Sequence, residues 1–370
     1  MKTCLVTGGA GFIGSFLVDA LIRRGHAVRI YDNLEPQVHP DGKMPDYLNT
    51  EAEFIQADIR DYDRLKNAMK GVDVLFHQAA MVGVGQSQYQ VKRYVDVNIG
   101  GTANVLDILA NARAQVSKIV VAASMSSYGE GQYECEECGV VTPALRSEEQ
   151  MAEQEWELLC PVCRETVEPM PTSEEKKLEC HSIYAITKKT QEEMVLNIGA
   201  TYGIPAVALR YFNVYGPRQS LSNPYTGVAA IFLSRIKHAQ APVVFEDGLQ
   251  TRDFVSVHDI VQANILAMED EPLSGYFNIG TGQPRTIRAI ADTLAGLYGQ
   301  NIAPDITNKF RKGDIRHCVA DISKAKMLLE YEPRVTFETG MKELIEWSTT
   351  AASADKFDEA RRELEQRGLV

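Results

Sequence analysis

The chain predicts an α/β fold: a doubly wound parallel sheet, a smaller mixed α/β lobe that holds substrate, and an inserted zinc-ribbon-like loop of four cysteines. Three features carry that prediction. Short apolar strands alternate with amphipathic helical segments through the N-terminal half. The first strand runs into the glycine-rich stretch TGGAGFIG, residues 7–14. Two CxxC pairs, Cys135/Cys138 and Cys160/Cys163, interrupt the alternation with the spacing C-x2-C-x21-C-x2-C.

Residues 3–7, TCLVT, form an apolar run that ends at Gly8. In IGSFLVDALIRRGH the apolar positions Ile13, Phe16, Leu17 and Leu21 share a helical face, and Gly25 ends the segment. AVRIYDN is a second buried strand, and EFIQADI, VDVLFHQAA and KIVVAAS repeat the pattern with helices between them. After Tyr184 a helix runs to about Ala200, and PAVALRYFNVYGP is a sixth strand. PVVFEDG, YFNIGTG and RTIRAIADTLAGLYG then mix strands and helices, and the tail SADKFDEARRELEQRG reads as a charged, solvated helix. The expected division is 1–130 with 172–212 for the sheet and 131–171 for the insert. Residues 213–348 are mainly the substrate lobe, with some elements returning to the sheet, and 349–370 are the tail.

Composition narrows the function. With 370 residues, 45% hydrophobic and 24% charged, the chain has the make-up of a soluble globular protein with a sizeable core. A net charge of −12 weighs against nucleic acid or an anionic membrane surface as the partner. No stretch approaches a membrane span or a signal peptide. Four of the seven cysteines are paired as CxxC, which fits bound metal in a reducing compartment and makes the cytoplasm the expected location.

Gly8, Gly11 and Gly14 stand where a strand turns sharply into a helix near Phe12 and Ile13. A tight turn alone would use glycine. Here the turn also opens a helix whose N-terminal amides can face a pyrophosphate, which makes residues 8–14 a dinucleotide cradle of the Rossmann kind. Asp32, followed by Asn33, closes the second strand. A carboxylate there accepts from ribose hydroxyls and repels a 2′-phosphate, so NAD is favoured over NADP. Asp58 with Ile59, after the third strand, is placed to meet the adenine.

SIYAITKK contains Tyr184-x-x-x-Lys188, which sets both side chains on one helix face. A phenol with an ordinary pKa of ~10 is a poor base at neutral pH. A neighbouring ammonium and a cationic nicotinamide both favour its phenolate, and Ser124, ending the fifth strand in AASMSSYG, can share the substrate's proton.

Taken as an ordered series, TGGAGFIG, Asp32, HQAA at 77–80, Asn98, Ser124 with Tyr128-Gly129, Tyr184/Lys188 and RYFNVYGPRQ resemble the extended short-chain dehydrogenase/reductase family, which includes nucleotide-sugar epimerases and dehydratases. The resemblance covers residue 1 to about 348 apart from the insert, and its narrower form is to bacterial deoxysugar epimerases. It implies that Gln78, Ala79, Ala80, Asn98, Tyr184 and Lys188 join the cofactor site, with Ser124 and Ser126 near the sugar. It also implies that Asn213, Arg252 in QTRDFVSVHD and Arg316 in KGDIRHCVADISKAK hold the nucleotide sugar, and that the enzyme is a homodimer. Dehydratases of the family carry acids where this chain has Met125-Ser126, which disfavours elimination. The expected reaction is NAD-dependent 4-epimerisation of a dTDP- or UDP-linked (deoxy)hexose through a transient 4-keto sugar. The alternatives are a 4-ketoreductase, a dehydratase, or a non-catalytic dinucleotide sensor with a partner-binding ribbon.

The gap between Ser124 and Tyr184 is longer than the family's, so residues near 131–171 read as an insertion. Cys135, Cys138, Cys160 and Cys163 have the spacing of a Cys4 zinc site, with a rubredoxin-like iron site as the minority reading. Four protein sulfurs leave no open position, so the metal is expected to be structural. The Glu-rich sequence of the insert suits a lid or a subunit contact rather than nucleic acid.

Overall fold

A computed structural model describes residues 1–111, 116–300, 302–351 and 353–369, so positions 352 and 370 of the predicted tail lie outside the described residues. The chain opens with β1 (Thr3–Thr7), α1 (Phe12–Arg23), β2 (Ala27–Asp32), β3 (Glu53–Gln56), α2 (Tyr62–Ala68) and β4 (Val74–His77). Two single-turn helices, α3 (Val84–Ser87) and α4 (Val91–Tyr94), lead through a π turn at Val95–Gly100 into α5 (Gly101–Asn111) and β5 (Lys118–Ser124). The insert holds β6 (Gln132–Cys135), β7 (Gly139–Val141), α6 (Glu148–Ala152) and β8 (Glu168–Met170). Helix α7 (Ile183–Tyr202) and β9 (Ala206–Tyr211) return to the main sheet, followed by β10 (Asn213–Tyr215), α8 (Val228–Lys237), β11 (Val243–Val244) and β12 (Thr251–Ser256). The C-terminal third comprises α9 (Val257–Glu269), β13 (Gly275–Ile279), β14 (Pro284–Thr286), α10 (Ile287–Tyr298), β15 (Asp305–Ile306) and β16 (His317–Cys318). It ends with α11 (Ser323–Leu329), α12 (Phe337–Thr350) and α13 (Phe357–Gln366).

The main sheet has seven parallel strands in the order β13-β9-β5-β4-β1-β2-β3. Its order reverses between β1 and β4, which places a crevice at the strands' carboxyl ends. Apolar residues fill both faces, as a parallel sheet covered by helices on each side requires. The smaller lobe builds a second core around Tyr215, Phe232, Ile290, Leu294 and Met341. No helix among the described residues is long and apolar enough to cross a membrane.

Two expectations change in detail, and a third becomes specific. The predicted sixth strand divides at Phe212: residues up to Tyr211 stay in the main sheet, and Asn213–Tyr215 pair with β12 in the small lobe. Phe212 is buried and gives its amide to Ile279 O at 3.0 Å, so the chain leaves the sheet at a satisfied backbone position. YFNIGTG is one of the elements expected to return to the sheet: β13 adds a seventh strand beside β9. The tail helix is not free in solvent. Phe357, Ala360 and Leu364 share a face, Ala360 is buried, and Arg235 pairs with Asp355 and Asp358 at 3.4 and 3.3 Å.

Candidate active site

A cleft of about 680 Å³ runs along the carboxyl ends of the sheet and under the small lobe. Its floor is the glycine loop. A side chain on Gly14 would put its Cβ 2.2 Å from Gly8 O, and one on Gly8, at φ +70°, would meet Ala79 N at 2.8 Å. Only glycine allows the loop to close against residues 78–80 and still present backbone to a pyrophosphate. Gly8, Gly11, Phe12, Ile13, Gly14, Asp32, Asn33, Ile59, Gln78, Ala79 and Ala80 all line this cleft. The Asp32 carboxylate accepts from Ala10 N at 3.0 Å and Leu34 N at 2.8 Å, which fixes it at the end of β2. The donor set and the Cβ-free cradle fit NAD.

Two residues predicted for the cofactor site are held by protein partners and are not part of the cleft lining. Asp58 does not line the cleft: Arg60 binds both its oxygens at 2.8 Å, Asn33 Nδ2 adds a third bond at 3.0 Å, and Arg60 chiefly holds its carboxyl down to about 2. The neighbouring Ile59 takes its place in the wall. Asn98 is fully buried behind the cleft. It accepts from Met81 N at 2.7 Å and donates to Thr187 Oγ1 at 2.9 Å, tying the segment after β4 to α7.

Ser124, at the end of β5, and Tyr184 and Lys188, one turn apart on α7, line the same cleft. Ser182 caps α7 by accepting from Ala185 N at 3.1 Å, and Ser87 Oγ accepts from Tyr184 N at 3.0 Å. The Tyr94 ring meets Tyr184 edge-on at 6.4 Å. Burial raises the Tyr184 phenol, and a hydrogen bond with Ser124 works the other way. Burial pushes Lys188 down to about 7, with its Nζ 2.8 Å from Ala122 O. Ser124 Oγ lies 2.9 Å from Ser126 Oγ, so the two hydroxyls share one side of the cleft.

Asn213 and Arg252 line the substrate end, and Arg252 is oriented by Ile315 O at 2.7 Å and Asp314 Oδ1 at 3.3 Å. Arg316 does not line it. Fully buried, it is saturated by Glu157 at 2.5 Å, Asp247 at 2.7 Å and Glu246 at 3.0 Å, and so belongs to a structural ion cluster. Arg311, five residues earlier in the same charged segment, is the arginine of that segment that reaches the cleft, with Lys312 beside it. Sequence reasoning also missed Gln219 and Gln250. Both are buried in the wall, each with an Oε1 that has no protein partner among the described residues.

In the insert, β7, β6 and β8 make a three-stranded antiparallel sheet. It brings the Sγ atoms of Cys135, Cys138, Cys160 and Cys163 within 4.8 Å of one another. A tetrahedral zinc with bonds of ~2.3 Å would set sulfurs about 3.8 Å apart, so the donor set fits. Amides of Cys163 and Val162 hold the Cys160 thiol down to about 6. Arg146, from the insert, binds Glu246 through two bonds of 2.8 and 2.9 Å, joining the insert to the small lobe.

Sequence profiles place this geometry in context. The profile of the NAD dependent epimerase/dehydratase family matches residues 4–148, and that of GDP-mannose 4,6 dehydratase matches residues 166–344. A dTDP-L-rhamnose 4-epimerase from Burkholderia thailandensis is 35% identical over 355 residues, 94% of each chain. The chain belongs to the NAD-dependent epimerase/dehydratase family. Solved relatives in this family include the UDP-glucose 4-epimerase of Thermotoga maritima with UDP-glucose, 32% identical at a TM-score of 0.77, covering 94% of this chain and 98% of that one. The UDP-glucose 4-epimerase of Thermus thermophilus with NAD is 29% identical at a TM-score of 0.74, covering 95% and 100%. Family membership accounts for the glycine cradle and the Ser-Tyr-Lys group sharing one cleft.

Proposed function

We propose that this family member carries out NAD-dependent 4-epimerisation of a dTDP- or UDP-linked hexose. The observation that carries the reading is that Ser124, Tyr184 and Lys188 line the same cleft as the glycine cradle. The cradle residues and Asp32 would hold NAD, which supplies the acceptor and later the donor of the hydride at carbon 4. Tyr184 takes the proton of the 4-hydroxyl, Ser124 holds that oxygen, and Lys188 favours the phenolate by its charge. When the 4-keto sugar turns over in the cleft, the same tyrosine returns the proton and the opposite configuration results.

Elimination finds little support. Of the carboxylates lining the cleft among the described residues, Asp32 is held by amides, Glu35 pairs with Arg93, and Asp314 pairs with Arg252 and Arg311. Met125 has no proton to transfer. Met81, Val82 and Val84 line the cleft beside the helix that supports Tyr184, which suits the methyl group of a deoxyhexose better than a carboxylate.

The four cysteines are proposed to hold one structural zinc. Exposed Val91, Val95 and Ile186 on the adjoining helices support a homodimer. The unpaired thiols of all seven cysteines suit the cytoplasm.

The test uses nucleotide sugar deuterated at carbon 4, followed by NMR. Retention of deuterium through epimerisation, without added reduced cofactor, is the expected result. Loss of label to solvent, or a stoichiometric demand for reduced cofactor, overturns the reading.

A further inference from the structure

The tail borders the cleft: Phe357, Ala360, Arg361 and Leu364 of its helix, and Leu369 beyond it, form part of the wall. It is fastened to both lobes. Tyr89 and Tyr225 face each other with hydroxyls 2.7 Å apart, and both donate to Glu363 Oε2, at 2.9 and 3.0 Å. Arg367 lies 4.2 Å over the Tyr89 ring, and Leu369 O accepts from Lys312 N at 3.3 Å. Leu364 packs on Gly85, at the start of the short helix whose Ser87 accepts the Tyr184 amide. The helix is thus connected by contacts to the base of the catalytic tyrosine.

The cations of the cleft differ in how far protein carboxylates satisfy them. Arg252 and Arg311 share Asp314, and Lys312 pairs with Glu148 at 2.9 Å. Among the described residues Arg361 has only Asp358 and Glu365 of its own helix, each at 3.7 Å, so its half-exposed guanidinium is the cleft arginine held most loosely by protein carboxylates. A guanidinium that lines a cleft without a close protein carboxylate keeps its donors for an anionic ligand.

We propose that Arg361 is a substrate-binding residue: the tail helix places its guanidinium in the cleft to bind the diphosphate of the nucleotide sugar, alongside Arg252 and Arg311. The inference rests on the nucleotide-sugar reading above. It makes the tail a wall of the site, so affinity for a nucleoside diphosphate depends on a segment that lies outside both lobes.

Calorimetric titration of the full, cofactor-loaded chain with dTDP and with UDP tests it. Arg361→Gln should weaken binding about tenfold, as for one lost charge-assisted bond, Arg361→Lys should recover part of the loss, and KM for the nucleotide sugar should rise in step. Unchanged nucleotide affinity in Arg361→Gln overturns the proposal. So does an equal loss in both variants accompanied by a fall in melting temperature, which would assign the residue to helix docking. If the unaltered protein binds neither dTDP nor UDP, the nucleotide-sugar reading falls as well; if it binds them and Arg361→Gln does too, only the role of Arg361 is lost.

Discussion

Lys188 Nζ lies 2.8 Å from the carbonyl oxygen of Ala122, two residues before Ser124 on the same strand. This hydrogen bond ties α7 to β5 and helps set the spacing between Tyr184 and Ser124, the pair proposed to act on the sugar hydroxyl. Because the anchor is backbone, the lysine stays in place whether or not its ammonium is protonated.

Tyr184→Phe removes the proton acceptor and leaves the packing against Tyr94 intact. Turnover should fall by at least about 10²-fold, the scale of lost general-base catalysis. Cofactor content, read by chromatography after denaturation, should match that of the unaltered protein. Near-normal turnover in this variant would assign the base elsewhere.

Asp32→Ala should relax the choice of cofactor. In the proposed site the carboxylate accepts from ribose hydroxyls and repels a 2′-phosphate, so its removal should weaken NAD and improve NADP. Competitive binding of the two dinucleotides measures the ratio; equal binding by the unaltered protein contradicts the role given to Asp32.

The insert should carry one zinc per chain, read by elemental analysis of protein purified without added metal. Cys135→Ser should lose the metal and lower the melting temperature, because the insert's own cluster of Tyr133, Val141, Leu158 and Val167 is small and is completed by the metal-site cysteines. Turnover should suffer through the Arg146–Glu246 pair, which joins the insert to the small lobe, and the Arg316–Glu157 pair, which joins it to the segment carrying Asp314 and Arg311. Iron in place of zinc would change the metal, and full stability without any metal would remove the structural role.

Stability should fall in acid partly through His77. This residue is fully buried, with Nδ1 2.8 Å from Thr7 Oγ1 and Nε2 2.9 Å from Thr102 Oγ1. Burial, and then the Lys188 charge, hold it down to about 3 from an ordinary 6.5. Between those values the unfolded chain binds a proton that the native chain does not, so stability declines as pH falls from about 6.5 towards about 3. Denaturant midpoints at pH 7 and pH 4.5 should differ less in His77→Asn than in the unaltered protein. An identical difference would clear His77 of the effect.

Much of the site was legible because it depends on short-range order. The glycine cradle is a strand-to-helix turn of seven residues, the Tyr184/Lys188 pair follows from helical period, and each CxxC is a single knuckle. The alternation of strands and helices likewise gave the parallel sheet, since each βαβ unit is a local choice of hand. What the sequence could not show is which distant groups meet. Arg316 and Arg311 are both arginines in one charged segment. Only the folded chain brings Glu157 from the insert and Glu246 and Asp247 from the small lobe around Arg316, leaving Arg311 to the cleft. The return of β13 to the main sheet and the docking of the tail on Tyr89 and Tyr225 are of the same kind. Each joins residues tens to hundreds of positions apart, and such contacts are decided by shape and charge complementarity between finished elements, to which local periodicity is blind.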